Sequence, residues 1–494
     1  MFRQAITRNI RDFSSRIRYP TVNSVSRIAV SKYEQATRSQ KHSSALAAVD
    51  VYKNITRGVG RQERIKAEYP PLDFSLTDYR GFPLPSVENR MSYDTDAFVI
   101  WNMTTDIAER ALEVVWKDGH HSKYHFIWLR DHEYSHGTAA SITNQRTVDT
   151  AKIPLDIAAE SIEVTDNGRK VKITWNRHVD GVKVSEFDTK WLRHNCYSHH
   201  NEIKRQLRNR PWLWGNDLNK YISNVSVPFE EVMRDDKAVL ELLRKVKKFG
   251  LAIVSNTPTC KETSQKVVER IGPVRNTIYG GFWETRLLPA DDKKNIDSAF
   301  STCALPAHTD GNYWQDPPGI QVFHCLEPDL HGGDTLLVDG FKVAEDLKEI
   351  DSDSFNFLCE TPVPFQHTDK ENHLVSYHTV FGKDADGNVI RFSLNTLDRD
   401  VMRLPPSQVL RFYKAWQQLC SIVADPSNEA WLKLMPGQLI IIDNKRVMHG
   451  RSEISPRSGR VLVGCYLSHE DFASKLAVLE KKCSKGTSQE DRTA

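Results

Sequence analysis

The chain has 494 residues, of which 39% are hydrophobic and 27% charged, with a formal net charge of +3 at pH 7. This length allows a core domain of roughly two hundred residues or more beside a smaller domain. The near-neutral charge, without a basic run interleaved with aromatic residues, argues against nucleic acid as a partner. No apolar run approaches the roughly 20 residues of a membrane span, so no membrane partner is expected. The 8 cysteines are scattered without a CxxC pair, which indicates reduced thiols in a non-secreted protein.

Residues 1–40 differ from the rest of the chain, because they are rich in arginine, serine and threonine and poor in acids. Hydrophobic residues recur there at helical spacing, at Phe2, Ile6, Ile10, Phe13 and Ile17. A basic amphipathic helix of this kind is what organelle import receptors bind. We therefore expect a mitochondrial leader and a location in the mitochondrial matrix, although a simple basic tail would carry the same charge.

Residues 41–94 contain several turn signals and little hydrophobic periodicity, so we interpret them as a linker. Residues 95–200 are typical of strands. The stretches "ALEVVWKDGHHSKYHF" and "SIEVTDNGRKVKITW" each place a DG or NG turn between β-rich runs, which indicates hairpins. "FIWLRDH" and "TKWLRHN" echo each other, and each closes a strand-like run. We expect a small β-rich N-terminal domain here.

Residues 225–475 begin with an amphipathic helix that should stop at Gly250, then a buried strand and the helix "SQKVVERIGPV". Many short apolar strands follow, separated by Gly, Pro and Asp turns and interrupted by one helix, "PSQVLRFYKAWQQLCSIVAD". Strands at this spacing favour a double-stranded β-helix, or jelly roll, whose mouth can hold a metal. The expected fold is mostly β with flanking helices, followed by a polar tail at 476–494.

The stretch "ALPAHTDGNYWQ" contains two candidate metal ligands, His308 and Asp310. An Fe(II) centre that activates dioxygen uses two histidines and one carboxylate on one face, and positions i and i+2 of an extended strand share a side. His449 follows the apolar strand of "GQLIIIDNKRVMHG" and could be the third ligand. The HxD pair alone fits structural polar residues equally well. A second "HTD", at 367–369, lies among charges and is interpreted as a surface loop.

Two further residues match a centre that uses a dicarboxylate. Arg460 lies on the strand after His449, where a guanidinium could bind a distal carboxylate with two hydrogen bonds. Thr335, in "GGDTLLVD", could donate its hydroxyl to the same molecule. These matches shift the balance from structural polar residues towards a metal centre.

With these motifs the chain resembles the 2-oxoglutarate-dependent oxygenases of the taurine-dioxygenase type. "HTDGNYWQDPPGIQVFHCL", "GGDTLLVDGF" and "IIIDNKRVMHGR" look most like the trimethyllysine and γ-butyrobetaine dioxygenases, and the resemblance covers about residues 95–475. It implies an Fe(II) site and a 2-oxoglutarate site, formed by His308, Asp310 and His449 and by Arg460 and Thr335. Asn395 matches a cosubstrate or substrate position, with a structural role equally open. Ascorbate as a further cofactor and a homodimer are also implied.

The resemblance also implies a trimethylammonium substrate. That cation has no N–H group, so aromatic faces are the physical means of binding it. The matching cage positions are Tyr279, Trp283 and Tyr466, while Phe300 replaces a tyrosine of the relatives. Single aromatic residues would otherwise be interpreted as core.

Asp297 is in register with an aspartate of the trimethyllysine enzymes, and it would bind the α-ammonium that only trimethyllysine carries. A solvated loop acid is the alternative. We expect hydroxylation of N6-trimethyllysine at C3, with release of succinate and CO2. Hydroxylation of γ-butyrobetaine is the runner-up, and a non-catalytic jelly-roll binding protein is the remote alternative.

The family's N-terminal domain usually binds zinc through cysteines that follow "WLRDH". Here "WLRDHEYSHGTAASITNQR" contains no cysteine, so we expect the structural zinc to be absent or much altered. The histidine pairs beginning at His120 and His199 are interpreted as solvated loops.

Overall fold

The computed structural model describes residues 98–133, 148–197, 210–286, 299, 301–385, 387–455 and 458–490. Contacts divide the chain into Met1–Leu76 and Thr77–Ala494, and every described residue lies in the second unit. The expected leader and linker, as well as Asp297, Phe300 and His199, lie outside the described residues. None of the described helices is both long and apolar enough to cross a membrane.

The N-terminal part contains two three-stranded antiparallel sheets, each followed by a short helix. The first unit comprises β1 (Ile100–Asp106), β2 (Ala111–Trp116), β3 (His121–His125) and α1 (Phe126–Asp131), and the second comprises β4 (Ala159–Thr165), β5 (Lys170–Val179), β6 (Val182–Asp188) and α2 (Thr189–His194). Single 3-10 turns lie at Thr150–Lys152 and Asp166–Gly168. Gly119 and Gly168 have positive φ in the two predicted hairpin turns, so both hairpin predictions are confirmed.

The two "WLR" stretches form α1 and α2, which places the rings of Trp128 and Trp191 5.5 Å apart. The interpretation of the first histidine pair as a solvated loop is wrong for His120. Its side chain is buried, and its Nε2 lies 3.6 Å from Cys196 Sγ. The hairpin that ends in β3 turns this side chain inward, whereas His121 is exposed.

From residue 210 onward the chain is mixed α/β. A 3-10 helix at Asn216–Tyr221 leads into α3 (Ile222–Val225), α4 (Phe229–Arg234), α5 (Asp236–Phe249), α6 (Lys261–Glu269), α7 (Gly340–Ile350), α8 (Ser352–Glu360), α9 (Pro406–Val423) and α10 (His469–Glu490). The strands are β7 (Ser226–Pro228), β8 (Leu251–Ser255), β9 (Phe282–Thr285), β10 (Leu305–His308), β11 (Ile320–Glu327), β12 (Thr335–Asp339), β13 (Pro362–Thr368), β14 (His373–Thr379), β15 (Phe381–Lys383), β16 (Val389–Phe392), β17 (Ala430–Leu432), β18 (Leu439–Asp443), β19 (Val447–Arg451) and β20 (Val461–Leu467).

Two sheets form the centre of this part. The six-stranded sheet has the order β7-β8-β18-β11-β20-β9, and the four-stranded sheet has the order β10-β19-β12-β17. All pairings in them are antiparallel except the β7–β8 pair. In the four-stranded sheet His308 pairs directly with His449, so two residues far apart in sequence become neighbours.

The predicted helix, Gly250 stop and buried strand are confirmed in α5 and β8. The Asp235 side chain accepts a hydrogen bond from the Ala238 amide at the N-terminus of α5, and Gly250 has a φ of 79° at its C-terminus. A Cβ on Gly250 would lie 2.5 Å from Val447, so both the turn and the close approach favour glycine. The apolar face of α5 packs on β8 and β18 in one hydrophobic cluster.

The structure differs from the expected elements in helix content. Besides α9, helices α7 and α8 interrupt the strands, and each begins at an aspartate whose side chain accepts an amide hydrogen bond, Asp339 and Asp351 respectively. Residues 476–483 are not a polar tail but continue α10. Leu476 and Leu479 of that helix are buried in the cluster that contains α5.

The surface-loop interpretation of the second "HTD" is also wrong. Residues 362–379 form the hairpin β13–β14, in which Phe365 is buried and pairs with Ser376. The side chain of His367 is only 17% exposed and lies 3.2 Å from the Asp369 carboxylate. The charged turn at 369–372 hides a period-two alternation in the strand after it.

Candidate active site

Three potential metal ligands meet at the edge of the four-stranded sheet. His308 ends β10, Asp310 lies in the turn that follows, and His449 lies in the middle of β19. One ligand atom from each lies within 4.8 Å of the others. His308 Nε2 is 3.3 Å from Asp310 Oδ1, and His449 Nε2 is 3.7 Å from Asp310 Oδ2. Two imidazoles and one carboxylate in this arrangement are the donor set of a facial iron site.

Hydrogen bonds fix the His308 ring. His308 Nδ1 donates to the Pro306 carbonyl at 2.8 Å, because a carbonyl oxygen can only accept. The neutral ring must therefore carry its lone pair on Nε2, the atom that faces Asp310. This is the tautomer that a metal ion needs.

Neighbouring side chains also hold Asp310. Gln321 Nε2 of β11 donates to Asp310 Oδ2 at 2.6 Å, and the Tyr466 hydroxyl of β20 donates to the same oxygen at 2.9 Å. Asn444 accepts from the Asp310 amide at 2.8 Å and donates to the Asp310 carbonyl at 3.1 Å. With Oδ2 held by two donors, Oδ1 remains on the side of His308. Gln321 and Tyr466 belong to the six-stranded sheet, so Asp310 bridges the two sheets.

The surroundings favour the ligand forms of Asp310 and His449, a carboxylate and a neutral imidazole, but not the neutral form of His308. Burial acts to raise the pKa of Asp310, but the charges of His449 and His308 and the hydrogen bonds to its carboxylate outweigh burial and lower it. Burial lowers the pKa of His449 to about 4, so its imidazole is neutral. Burial also acts to lower the pKa of His308, but the hydrogen bond and charge of Asp310 raise it, and the charge of Asp398 adds to them.

A cavity of about 290 Å³ opens from this group and is lined by both central sheets. Arg460, directly before β20, lines it, and burial lowers the pKa of its guanidinium. Among the described residues this guanidinium has no ion-pair or hydrogen-bond partner, and the hydrogen bond of Arg460 to Ser458 is made by its backbone amide. Gly333, with a φ of 65°, leaves room for it, because a Cβ there would lie 3.1 Å from Arg460 Cδ. Thr335 of β12 lines the same cavity.

The predicted cage residues Tyr279, Trp283 and Tyr466 all line this cavity. The ring centroids of Trp283 and Tyr466 are 5.9 Å apart. A Cβ on Gly464 would lie 2.1 Å from the Trp283 ring, so this glycine lets the indole lie flat on β20. The aromatic group therefore lies against the strand that also carries Tyr466.

Tyr313 was missed by the sequence analysis. It lines the cavity, and its hydroxyl is hydrogen-bonded to the Tyr279 hydroxyl at 2.7 Å. His367 packs on this pair, with ring centroids 5.0 Å from Tyr313 and 6.2 Å from Tyr279. The second "HTD" thus supports the aromatic wall, and it is not among the clustered ligand atoms.

Four other residues of the site were missed as well. Gln321 and Asn444 hold Asp310, and the only signal for Gln321 is a polar residue inside an apolar strand. Arg451 lines the cavity and donates from Nη1 to the Ala299 carbonyl at 2.7 Å and from Nη2 to the Ser301 carbonyl at 2.6 Å. Asp398 lines the cavity near the predicted residue Asn395, whose Nδ2 donates to Asp398 Oδ2 at 2.7 Å.

Comparisons with known proteins agree with this geometry. The profile of the family described as taurine catabolism dioxygenase TauD, TfdA matches residues 214–466, and the profile described as γ-butyrobetaine hydroxylase-like, N-terminal matches residues 103–183. Trimethyllysine dioxygenase of Meyerozyma guilliermondii is 33% identical over 385 residues, which cover 75% of this chain and 93% of the relative. Mitochondrial trimethyllysine dioxygenase of Gallus gallus is 34% identical over 365 residues, covering 72% and 83%.

γ-Butyrobetaine dioxygenase of Pseudomonas sp. is 30% identical over 413 residues, which cover 82% of this chain and 100% of the relative. Among solved structures, PvcB, an Fe, α-ketoglutarate-dependent oxygenase, aligns with 49% of this chain and 82% of its own, with a TM-score of 0.36 and 18% identity.

Proposed function

The chain belongs to the taurine catabolism dioxygenase TauD, TfdA family and is an Fe(II)- and 2-oxoglutarate-dependent dioxygenase, and we propose that it hydroxylates N6-trimethyllysine at C3. The observation that carries this proposal is one cavity in which two histidines and a carboxylate, a buried guanidinium and an aromatic group all meet. Each group matches one of the three components that such a reaction must bind.

His308, Asp310 and His449 would hold the iron. The donor set fits Fe(II), since it offers two imidazole nitrogens and one carboxylate oxygen and leaves the cavity side open. When bound, iron supplies the activation of dioxygen and the oxidative decarboxylation of 2-oxoglutarate to succinate and CO2. The protein keeps His308 in the ligating tautomer and keeps Asp310 ionised.

Arg460 would bind the distal carboxylate of 2-oxoglutarate. Its buried guanidinium can form two parallel hydrogen bonds with a carboxylate, and a partner anion would offset the cost of its burial. Thr335 would add a hydroxyl hydrogen bond, and Asn395 lines the same cavity. The apolar walls of the cavity, including Phe323, exclude water from the reacting groups.

Tyr279, Trp283 and Tyr466 would bind the trimethylammonium group. Aromatic faces attract a quaternary cation without a hydrogen bond, and the three rings share the cavity with the ligand group. Asp297 and Phe300 remain predicted substrate contacts outside the described residues. Ascorbate as a further cofactor and a homodimer also remain predictions.

Trimethyllysine is preferred over γ-butyrobetaine because relatives named trimethyllysine dioxygenase are 33% and 34% identical and those named γ-butyrobetaine dioxygenase 30% and 28%. The leader pattern of residues 1–40 supports a mitochondrial location, as in the vertebrate relatives named mitochondrial. Import should remove this leader, so cytosolic protein with an intact N-terminus would refute the proposed mitochondrial location. We further infer that the two central sheets form a double-stranded β-helix, with a separate β-rich domain before it.

Turnover of 2-oxoglutarate to succinate by the purified, iron-loaded protein tests the function. We expect trimethyllysine to stimulate succinate formation and to yield a product hydroxylated at C3. Faster turnover with γ-butyrobetaine would establish the runner-up instead. If neither compound is hydroxylated while iron and 2-oxoglutarate bind, both substrate assignments are refuted.

A further inference from the structure

The two histidines of the ligand group are held in different ways. His308 Nδ1 donates to the Pro306 carbonyl at 2.8 Å, whereas His449 Nδ1 is buried and has no hydrogen-bond partner in the part of the chain that the structure describes. His449 Nε2 faces the Asp310 carboxylate, so the ring proton of a neutral, ligating His449 lies on Nδ1. A metal-binding histidine normally donates its other N–H to an acceptor that fixes the ring. Contacts other than a hydrogen bond must therefore orient His449.

The His449 imidazole packs against two other rings. Its centroid lies 4.5 Å from that of His308, with the planes at 49°, and 5.3 Å from that of Phe323, with the planes at 61°. Aromatic rings in an edge-to-face contact at this separation attract each other. Phe323 belongs to β11 of the six-stranded sheet, whereas His449 belongs to β19 of the four-stranded sheet. Phe323 thus supports the imidazole of His449 from the opposite sheet.

Phe323 also contacts one ring of the predicted cage. Phe323 of β11 and Trp283 of β9 are both in register with Gly464 of β20, the strand that lies between them. Because Gly464 has no side chain, the two rings approach each other across it, with centroids 5.6 Å apart and planes at 71°. Ring contacts therefore run from Trp283 through Phe323 to the metal ligand His449.

We propose that Phe323 is a positioning residue for His449, which it orients by packing in place of a hydrogen bond, and that it links this ligand to the cage. A cation bound at Trp283 restrains the indole, and through Phe323 it favours the orientation of His449 that binds iron. Substrate and iron then strengthen each other's binding, since coupling between two sites is reciprocal. The positioning role concerns the ligand group alone, whereas the link rests on the proposed function, because it needs the cationic substrate at Trp283.

The test measures Fe(II) binding in matched variants by anaerobic equilibrium dialysis with 2-oxoglutarate present. For Phe323→Leu we expect an Fe(II) affinity about 10-fold lower, at the lower end of the range for residues that orient metal ligands. Phe323→Tyr keeps the ring and should bind iron nearly as tightly as wild type. Phe282→Leu is the matched control, because Phe282 precedes Trp283 on β9 but packs against the hydrophobic cluster of α5 on the other face of the sheet. It should leave the Fe(II) affinity unchanged.

The same dialysis with trimethyllysine present measures the link. The substrate should tighten Fe(II) binding by wild type about 5-fold or more, a typical coupling between two sites, and should tighten it less in Phe323→Leu. If Phe323→Leu folds poorly, Phe323→Met carries the same expectations, since methionine fills irregular gaps without a ring. The positioning role is overturned if Phe323→Leu binds iron like wild type, if Phe282→Leu loses as much affinity, or if Phe323→Tyr is as weak as Phe323→Leu.

The link and the proposed function fail in different measurements. Equal tightening by trimethyllysine in wild type and Phe323→Leu would overturn the link and leave the positioning role, which the dialysis without substrate decides. If γ-butyrobetaine tightens wild-type iron binding and trimethyllysine does not, the proposed substrate is wrong, and the link is decided with γ-butyrobetaine. If neither compound alters wild-type iron binding, the link is overturned, whereas the turnover assay alone decides which compound is hydroxylated.

Discussion

Replacing Tyr466 by phenylalanine should weaken iron binding while leaving the aromatic wall in place. The change removes the hydroxyl that donates to Asp310 Oδ2 at 2.9 Å and leaves Gln321 as the remaining donor to that oxygen. The hydrogen bond is to a charged acceptor in a buried site, where such bonds contribute about 1.5 to 3 kcal/mol. Residues that orient metal ligands typically alter affinity about 10- to 100-fold, so we expect an Fe(II) affinity lower by that factor.

Tyr279→Phe is the matched control. It removes a hydroxyl from the same cavity, but that hydroxyl contacts Tyr313 and not a metal ligand. Equilibrium dialysis of Fe(II) under anaerobic conditions, with 2-oxoglutarate present, measures both affinities. The Fe(II) concentration that gives half-maximal succinate formation provides a second reading. The reasoning is refuted if Tyr466→Phe binds iron as tightly as wild type, or if Tyr279→Phe weakens iron binding equally.

Three further predictions concern other residues. His308→Ala should abolish succinate formation because the iron loses one of three ligands. His367→Ala should keep iron bound and raise the KM for the cationic substrate only a few fold. The reverse pattern in folded protein would contradict the ligand assignment. Arg460→Lys should raise the KM for 2-oxoglutarate sharply, since a single ammonium cannot reproduce two parallel hydrogen bonds, and an unchanged KM would remove Arg460 from the cosubstrate site. Burial lowers the pKa of His324 to about 4, so the folded state keeps this imidazole neutral at pH values where the unfolded chain already binds a proton. The contribution of His324 to the free energy of unfolding is therefore fully present above pH 6.5 and falls by up to about 3 kcal/mol as the pH falls towards 4. His324→Gln should flatten the fall of Tm over this pH range, and an unchanged slope would exclude His324 as its cause.

The sequence was most informative where chemistry depends on local spacing. His308 and Asp310 are close in sequence, and a largely apolar strand precedes the segment of His449, so all three could be proposed without a structure. The register that pairs His308 with His449 could not, because it depends on how β10 and β19 align in the sheet. Gln321 was missed for the same reason, since it reaches Asp310 from the other sheet.

The missed elements have more local causes. Asp339 and Asp351 cap the N-termini of α7 and α8, and aspartate is an ordinary capping residue. The two helices were missed because this part of the chain was interpreted as strands. The hairpin β13–β14 was hidden by the charged turn that joins its strands. Asp398 has no sequence signal at all, because only the turn closed by Asn395 brings its carboxylate to the cavity.

Asp310 joins the two central sheets, and this gives the metal a mechanical role beside its chemical one. Its backbone lies in the turn that follows β10 of the four-stranded sheet, which contains His308 and His449, while its carboxylate is held by Gln321 and Tyr466 of the six-stranded sheet. An ion bound to this carboxylate and to both imidazoles acts as a cross-link between the layers, and its binding free energy adds to the free energy of unfolding. Chelators should thus loosen the packing of the sheets as well as stop turnover, and the metal-free enzyme should be cut by proteases at rates set by how often the layers part.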